Sequence, residues 1–168
     1  MPYAEHFVSA DGIIGHLAVS VAAIADPIVL GQYTGFAAVS GVTVYELAIK
    51  TVFEEFTTKK HKVFGFFCSA YFDRINGKIK LKVIQEDYLP RFGEKYVKRF
   101  GRLLSDVEVR ELRDSGTSVK ASYGNLITWR NEFAHEGRVP TNATFPEVQR
   151  SYETGKKVIE CLALTMSR

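Results

Sequence analysis

Apolar residues recur at three- and four-residue steps along most of the chain, the spacing that places side chains on one face of an α-helix. The clearest stripe lies near the C-terminus and consists of Phe145, Val148, Tyr152, Gly155, Ile159, Leu162 and Met166. Thr144, Pro146 and Glu147 precede it and predict a capping box with proline in the first turn. Since glycine costs a helix about 1 kcal/mol relative to alanine, Gly155 on this stripe predicts a close crossing with another backbone.

The same spacing predicts helices along the rest of the chain. A stripe in the first third predicts a helix that ends near residues 57–60, and its members are Val44, Leu47, Ala48, Val52, Phe53 and Phe56. Helical spacing continues over residues 61–75, and Asn76-Gly77 predicts a turn. The remaining predictions are one or two short helices in 82–104 around Pro90 and Gly93, a short helix over 106–113, and a longer one over 117–135 that begins at Thr117 or Ser118.

No segment alternates apolar and polar residues between turn signals, so the sequence predicts no strand. A chain of 168 residues buries roughly two-thirds of its unfolded surface, which suffices for one core. The expected fold is an all-α bundle of about six to eight helices in a single domain, residues 1–168.

Residues 12–44 contain one charged side chain, Asp26, a composition that also occurs in membrane segments. Asp26-Pro27 interrupts the apolar run and glycines break it further, so no uninterrupted apolar stretch reaches the roughly 18 residues of a spanning helix. Residues 1–25 contain no Lys or Arg, unlike the basic start of a secretory signal. We expect two buried core helices and no membrane contact.

Composition limits the chemistry. Cys68 and Cys161 form no CxxC pair and have no His or Cys at ligand spacing, so neither zinc nor a disulfide framework is expected, and the cytoplasm is the expected location. The sequence predicts no metal and no cofactor. No Gly-rich loop of the kind that binds nucleotide phosphates is present in the sequence.

The net charge of +3 is too small to indicate nucleic acid, but the charge is unevenly distributed. Residues 78–102 carry eight basic and three acidic side chains, and aromatic residues interleave with them at four-residue steps, which predicts one aromatic helix face with basic faces beside it. These aromatic residues are Tyr88, Phe92, Tyr96 and Phe100. Two interpretations are open: a core stripe with solvated neighbours, or a phosphate-binding surface on one helix.

The residues that carry candidate chemistry lie at the end of the 117–135 helix. Arg130, Asn131 and His135 occupy its last turns, before Gly137, which favours a helix end. At about 100° per residue, Asn131 and His135 lie on one face, and Arg130 reaches round with its long side chain. A histidine there feels the negative end of the helix dipole, which favours its protonated form.

Arginine and histidine together suit phosphodiester cleavage in RNA. Arg stabilises the charged transition state and His moves protons, while the neighbouring 2′-hydroxyl is the nucleophile, so no metal is needed. An Arg and a His at this spacing also occur by chance in helices. In that alternative, Arg130 would pair with a nearby carboxylate and His135 would cap backbone carbonyls. Trp129 and Tyr123 are expected in the core, and His6, His16 and His61 are expected to be structural or surface residues.

The run Arg130-Asn-Glu-Phe-Ala-His135 resembles the R-x4-H signature of the HEPN superfamily. The resemblance to the stand-alone RiboL-PSP-HEPN type extends to Tyr45–Lys50, Tyr123–Leu126 and Gly155–Leu162. It implies a HEPN-like helical bundle that dimerises, so that two motifs face one another across a cleft and form a composite active site. It also implies a metal-independent endoribonuclease, often a prokaryotic toxin or phage-defence effector with an antitoxin or sensor partner.

Carried over by position, the resemblance implies that Arg130 and His135 are catalytic and that Asn131 is the polar residue beside them. Glu132 either orients Arg130 or His135 or is a solvated helix residue. Glu46 either supports the site or forms a surface ion pair with Lys50. The basic residues expected to guide RNA are Lys95, Lys98, Arg99, Arg102 and Arg138.

Two functions from different classes remain open at this point. The first is an endoribonuclease that leaves 2′,3′-cyclic phosphate and 5′-hydroxyl ends. The alternative is a non-catalytic HEPN-like module that binds RNA or a partner protein.

Overall fold

Seven α-helices and no strand occur in residues 2–138 and 142–167, which are the residues that the computed structural model describes, apart from the side chain of His135. The helices are α1 (Pro2–Val21), α2 (Pro27–Lys60), α3 (Lys62–Phe72), α4 (Leu81–Val83), α5 (Glu94–Ser115), α6 (Val119–Glu136) and α7 (Phe145–Met166). A π-helical turn, Ile84–Tyr88, and a 3₁₀ turn, Leu89–Phe92, connect α4 to α5. The predicted all-α bundle is confirmed.

The apolar front of the chain divides into α1 and α2 at Asp26-Pro27, as predicted. The Asp26 carboxylate accepts a hydrogen bond from the Ile28 N–H, and Pro27 occupies the first helical turn. Among the described helices, α2 alone is long and apolar enough to cross a membrane by length and composition. Within the most apolar 18-residue stretch of α2, 56% is buried inside the bundle, as in the core helix of a globular domain.

Helix α2 lies at the centre of the bundle and packs against α1, α3, α6 and α7. The ring of Tyr45 stacks between Tyr123 of α6 and Tyr152 of α7, with ring centroids 5.3 and 5.8 Å apart. Its hydroxyl donates a 2.5 Å hydrogen bond to the Tyr152 carbonyl. A methyl group on Gly155 would lie 3.3 Å from the Tyr123 Cα and would meet the Tyr45 hydroxyl. The close backbone crossing predicted at Gly155 is therefore confirmed.

The predicted ends of several elements are confirmed. Thr144 and Glu147 form the capping box of α7, and the predicted apolar positions of α7 are buried. Ser118 caps α6. Helix α2 ends at Lys60, and Asn76 and Gly77 form a turn with positive φ angles of 35° and 78°.

The separate short helix predicted over residues 106–113 is wrong. These residues belong to α5, which runs without a break for 22 residues and ends at Gly116 in the left-handed conformation. No glycine or proline lies between Leu103 and Ser115, so nothing in the local sequence ends the helix.

The prediction that Tyr88, Phe92, Tyr96 and Phe100 share one helix face is also wrong. Gly93, with φ of 110°, separates the first two from α5. The rings nevertheless reach the core, where Phe92 stacks on Phe53 at 5.1 Å and Tyr96 meets Phe56 edge-on at 5.3 Å. Of the two interpretations, the core stripe is the one that the packing supports.

One apolar position of the α2 stripe, Leu47, is exposed rather than buried.

Candidate functional site

Helix α6 carries the motif and is fixed at both ends. At its start, Ser118 Oγ accepts from the Ala121 N–H, while Glu108 of α5 accepts from Ser118 Oγ and the Lys120 N–H. At its end, Gly137 has φ of 64°, and the N–H groups of Gly137 and Arg138 bond to the Glu132 carbonyl. Arg130 and Asn131 therefore lie in the last turns of a firmly capped helix, as the sequence predicts.

Arg130 is half-buried, and its guanidinium has local contacts. Its Nη1 donates a 2.8 Å hydrogen bond to the Asn131 Oδ1. Its other face approaches Gly77, where an added methyl group would lie 2.9 Å from Nη2. A guanidinium positioned in this way presents fixed donors, which suits the binding of a phosphate.

Four side chains from other parts of the fold hold the turn against which Arg130 lies. Glu46 Oε2 accepts a 2.6 Å hydrogen bond from the Gly77 N–H. The three remaining contacts are those from Lys50 Nζ to the Asp73 carbonyl at 3.4 Å, Tyr88 Oη to the Lys78 carbonyl at 2.7 Å, and Tyr123 Oη to the Ile79 carbonyl at 2.6 Å. Residues 73–79 thus have backbone groups bonded to α2, to the π-helical turn and to α6, although they contain no regular element.

The two tyrosines remain protonated donors at neutral pH. Burial, followed by the neighbouring Tyr71 and Asp87, raises the pKa of Tyr88 to about 12. Burial likewise raises the pKa of Tyr123 far above its ordinary value. Each hydroxyl therefore keeps its proton and its hydrogen bond to the turn over the whole physiological range.

Glu46 contacts both Lys50 and the turn beside Arg130. Its Oε1 pairs with Lys50 Nζ at 3.0 Å, and its Oε2 binds the Gly77 N–H that lies beside Arg130. Both side chains are only 17% exposed, so this is not a solvated surface pair. The carboxylate connects α2 to the turn that contacts Arg130, and its role in function stays a prediction.

The other predicted catalytic residues are less well defined by the geometry. Glu132 is half-buried, and its backbone carbonyl takes part in the end of α6. The backbone of His135 lies in α6, but its side chain lies outside the described residues. The catalytic roles of Glu132 and His135 stay predictions.

The basic residues predicted to guide RNA lie on α5 and just after α6. Lys98 pairs with Glu94 at 2.9 Å, Arg138 pairs with Glu136 at 3.4 Å, and Lys95 lies over the Tyr96 ring at 4.8 Å. Arg102 is exposed and Arg99 is half-buried. These contacts leave the RNA-binding role of the five residues a prediction.

Residues near the motif that were expected in the core are buried there. Trp129 Nε1 donates to Asn142 Oδ1 at 3.0 Å, and Tyr123 is fully buried. Phe133 packs against Gly35 of α2, which anchors the motif helix. His6 shares a hydrogen bond with Thr51, and His61 caps α3, so both have structural contacts.

Sequence reasoning missed the part of the site formed by the turn. The pattern identified Asn76-Gly77 as a turn, but it contained no signal that Gly77 would lie against Arg130, 53 positions later. The sequence identified Tyr88 and Tyr123 only as apolar positions. Hydroxyl hydrogen bonds to distant backbone carbonyls produce no pattern in the sequence. The one usable signal was Glu46, a carboxylate next to the buried stripe of α2.

The profile of the RiboL-PSP-HEPN family matches residues 13–167, nearly the whole chain. Comparisons with curated proteins and with solved structures give no significant match. The match includes the motif helix, the Asn76-Gly77 turn and α2, and it indicates a nuclease or RNA-binding role in general terms. The chain therefore belongs to the RiboL-PSP-HEPN family.

Proposed function

We propose that this protein is a metal-independent endoribonuclease that cleaves RNA by attack of a 2′-hydroxyl on the adjacent phosphodiester. The 2′-oxygen bonds to phosphorus, the bond to the 5′-oxygen breaks, and the products carry a 2′,3′-cyclic phosphate and a 5′-hydroxyl. The 2′-hydroxyl proton leaves to a base, and the 5′-oxygen receives a proton from an acid. Water is not consumed in this step.

The observation that carries the proposal is the placement of Arg130. Its guanidinium is bonded to Asn131 and lies against Gly77, in a chain that belongs to the RiboL-PSP-HEPN family and whose Arg130–His135 run resembles the R-x4-H signature. Preorganised donors stabilise the negative charge that develops on the phosphoryl oxygens. His135 follows Arg130 by five positions on the same helix and is the residue type best suited to proton transfer at neutral pH.

The test is incubation of end-labelled RNA with the purified protein in EDTA, followed by end-group analysis. Cyclic phosphate ends are expected from the parent. Removal of a transition-state donor typically lowers turnover by about 100- to 1,000-fold, and we expect this from Arg130→Ala and from His135→Ala. Arg113→Ala and His16→Ala, at exposed positions, are matched controls that should keep full activity.

The results separate the two classes of function. If His135→Ala cleaves as well as the parent, the assigned roles are wrong. If the parent cleaves no member of a broad RNA panel but binds RNA in a salt-dependent manner, the protein is a binding module of the same family.

We further propose that two copies form one composite site. One Arg and one His leave little around a phosphate, whereas a two-fold interface doubles both. Phe36 and Leu47 are exposed on α2, and Phe36 lines an apolar groove with Tyr33, Phe133 and Gly137 at the end of the motif helix. This apolar surface next to the motif supports pairing through the α2 and α6 face.

Sedimentation tests the dimer. Phe36→Glu should produce monomers and abolish cleavage, because a charge would be buried at the interface. Val109→Glu, a change at an exposed apolar position of α5, should leave both properties unaltered. A parent protein that is monomeric at concentrations where it cleaves RNA would exclude the composite site.

The family resemblance also supports a role as a prokaryotic toxin or phage-defence effector that an antitoxin or sensor partner keeps silent. Induced expression in a bacterial host should then arrest growth, and Arg130→Ala should remove the arrest. Equal growth of parent and variant, at equal protein levels, would contradict the toxin role.

A further inference from the structure

Helix α3 presents an exposed apolar stripe in a region of strong positive charge. Phe66 and Phe67 are 66% and 70% exposed, although large apolar side chains are usually buried. Residues 59–82 carry seven basic side chains and one acidic one, Asp73. All seven basic residues are exposed: Lys59, Lys60, Lys62, Arg74, Lys78, Lys80 and Lys82.

Phe67, but not Phe66, lines a surface groove. Ala70, Arg74 and Lys78 line the same groove, which has a volume of about 460 Å³. Pockets that bind small molecules measure about 300–1,000 Å³. The acidic residue that also lines the groove, Asp87, is paired with Arg91 at 2.5 Å, which partly offsets its charge.

The groove and the candidate site share neighbouring residues of the chain. Lys78, at one end of it, directly follows Gly77, the residue against which the Arg130 guanidinium lies. Consecutive Cα atoms are about 3.8 Å apart, so the backbone of a groove residue lies beside the residue that the Arg130 guanidinium contacts. The backbone here is held in place by Tyr88, which bonds to the Lys78 carbonyl.

We propose that this groove binds an unpaired nucleotide of single-stranded RNA next to the phosphodiester at Arg130, an inference that rests on the proposed function. The base stacks on the ring of Phe67, and Arg74 and Lys78 contact the adjacent phosphates. Unstacked bases of single strands bind exposed aromatic rings in this way, whereas the bases of a duplex are not available. An interfacial membrane helix buries a whole apolar face in the bilayer, whereas Phe67 lines a groove together with two cations.

The test is binding, measured by fluorescence anisotropy, of a single-stranded oligonucleotide with 2′-O-methyl groups at every position, which prevents cleavage. Phe67→Ala should weaken binding by about five- to 160-fold, the range found when a stacking ring is removed. Phe66→Ala is the matched control, because it removes an equally exposed ring from the same helix outside the groove, and binding should change less than twofold. Arg74→Gln with Lys78→Gln should reduce the slope of log affinity against log salt by about 1.4.

The outcomes are distinct. Equal effects of Phe66→Ala and Phe67→Ala on binding, or no effect of Phe67→Ala, would overturn the proposal that the groove binds a nucleotide. So would a parent that does not bind the oligonucleotide but binds anionic phosphatidylserine vesicles or self-associates in a Phe67-dependent manner. Phe67-dependent binding without cyclic phosphate products from ordinary RNA would support the groove and contradict the nuclease. Cleavage with an unaltered KM in Phe67→Ala would contradict the groove alone.

Discussion

The guanidinium of Arg130 lies directly against Gly77, with 2.9 Å between its Nη2 and the position of a methyl group added to the glycine. Gly77 has φ of 78°, a conformation that glycine adopts at little cost. The absence of a side chain at this position therefore has two consequences: the turn can form, and the guanidinium can occupy the space next to it.

The first prediction is that Gly77→Ala impairs RNA cleavage beyond its effect on stability. The positive φ angle should cost about 1–2 kcal/mol in the free energy of unfolding. The new methyl group should also displace the Arg130 guanidinium and lower kcat at least tenfold, because small displacements of a transition-state donor are costly. Urea unfolding and single-turnover cleavage measure the two effects.

Gly116→Ala is the matched control for this prediction. Gly116 has φ of 69°, and no heavy atom lies within 4 Å of an added methyl group. It should lose a similar amount of stability and keep its kcat. Equal kcat values for the two variants would mean that Gly77 does not position Arg130.

The second prediction concerns Glu46. Glu46→Ala leaves the Gly77 N–H without its acceptor and the Lys50 ammonium with only its longer contact to the Asp73 carbonyl, which should cost about 2 kcal/mol of unfolding free energy. Glu94→Ala breaks the pair with Lys98, in which both side chains are more than 70% exposed. That change should cost less than about 0.5 kcal/mol. Chemical denaturation measures the free energy of unfolding of both variants. Similar losses of stability in the two would contradict the anchoring role of Glu46.

The parts of the fold that sequence patterns predicted are those with local signals. The Thr144 capping box, the Ser118 cap and the Asn76-Gly77 turn each depend on residues within a few positions of one another. Gly155 was predicted correctly because a glycine on a buried helical stripe needs a close neighbour.

The parts that failed depend on contacts between distant residues or on the direction of a uniformly apolar helix. Gly93 divides the aromatic run that periodicity assigned to one face. In α3, apolar residues occur on every side, so spacing cannot tell that Phe67 is exposed while Cys68 is buried. The contact of Glu46 with Gly77 joins residues 31 positions apart and has no local signature.

The third prediction compares two glycines within helices. Gly155→Ala should destabilise the fold by about 1–3 kcal/mol, because the methyl group would meet the Tyr45 hydroxyl and the backbone at Tyr123. Gly124→Ala, at an exposed position of α6 with no heavy atom within 4 Å of the new methyl group, should stabilise by up to about 1 kcal/mol. Thermal unfolding should thus shift in opposite directions. A stabilised Gly155→Ala would show that the crossing of α7 and α6 is looser than the distances indicate.

The last prediction is a pH dependence at the start of the motif helix. Burial of the Glu108 carboxyl would raise its pKa, but hydrogen bonds from Ser118 and from the N–H groups of Lys120 and Val119 outweigh burial and hold the pKa below its usual value. The unfolded chain therefore takes up the proton first as the pH falls. The stabilisation is complete above the unfolded pKa of about 4.3 and is lost as the pH falls through the lower pKa of the folded protein.

Glu108→Gln should accordingly reduce the free energy of unfolding by about 1 kcal/mol at pH 7, the typical contribution of a charged helix cap. The difference from the parent should shrink as the pH falls from 6 to about 3, because the protonated parent also lacks the charge. Urea unfolding at a series of pH values measures it, with Glu86→Gln as the control at an exposed carboxylate. A difference that stays constant over this range would mean that the Glu108 charge does not stabilise α6, since only a charged cap loses its effect on protonation.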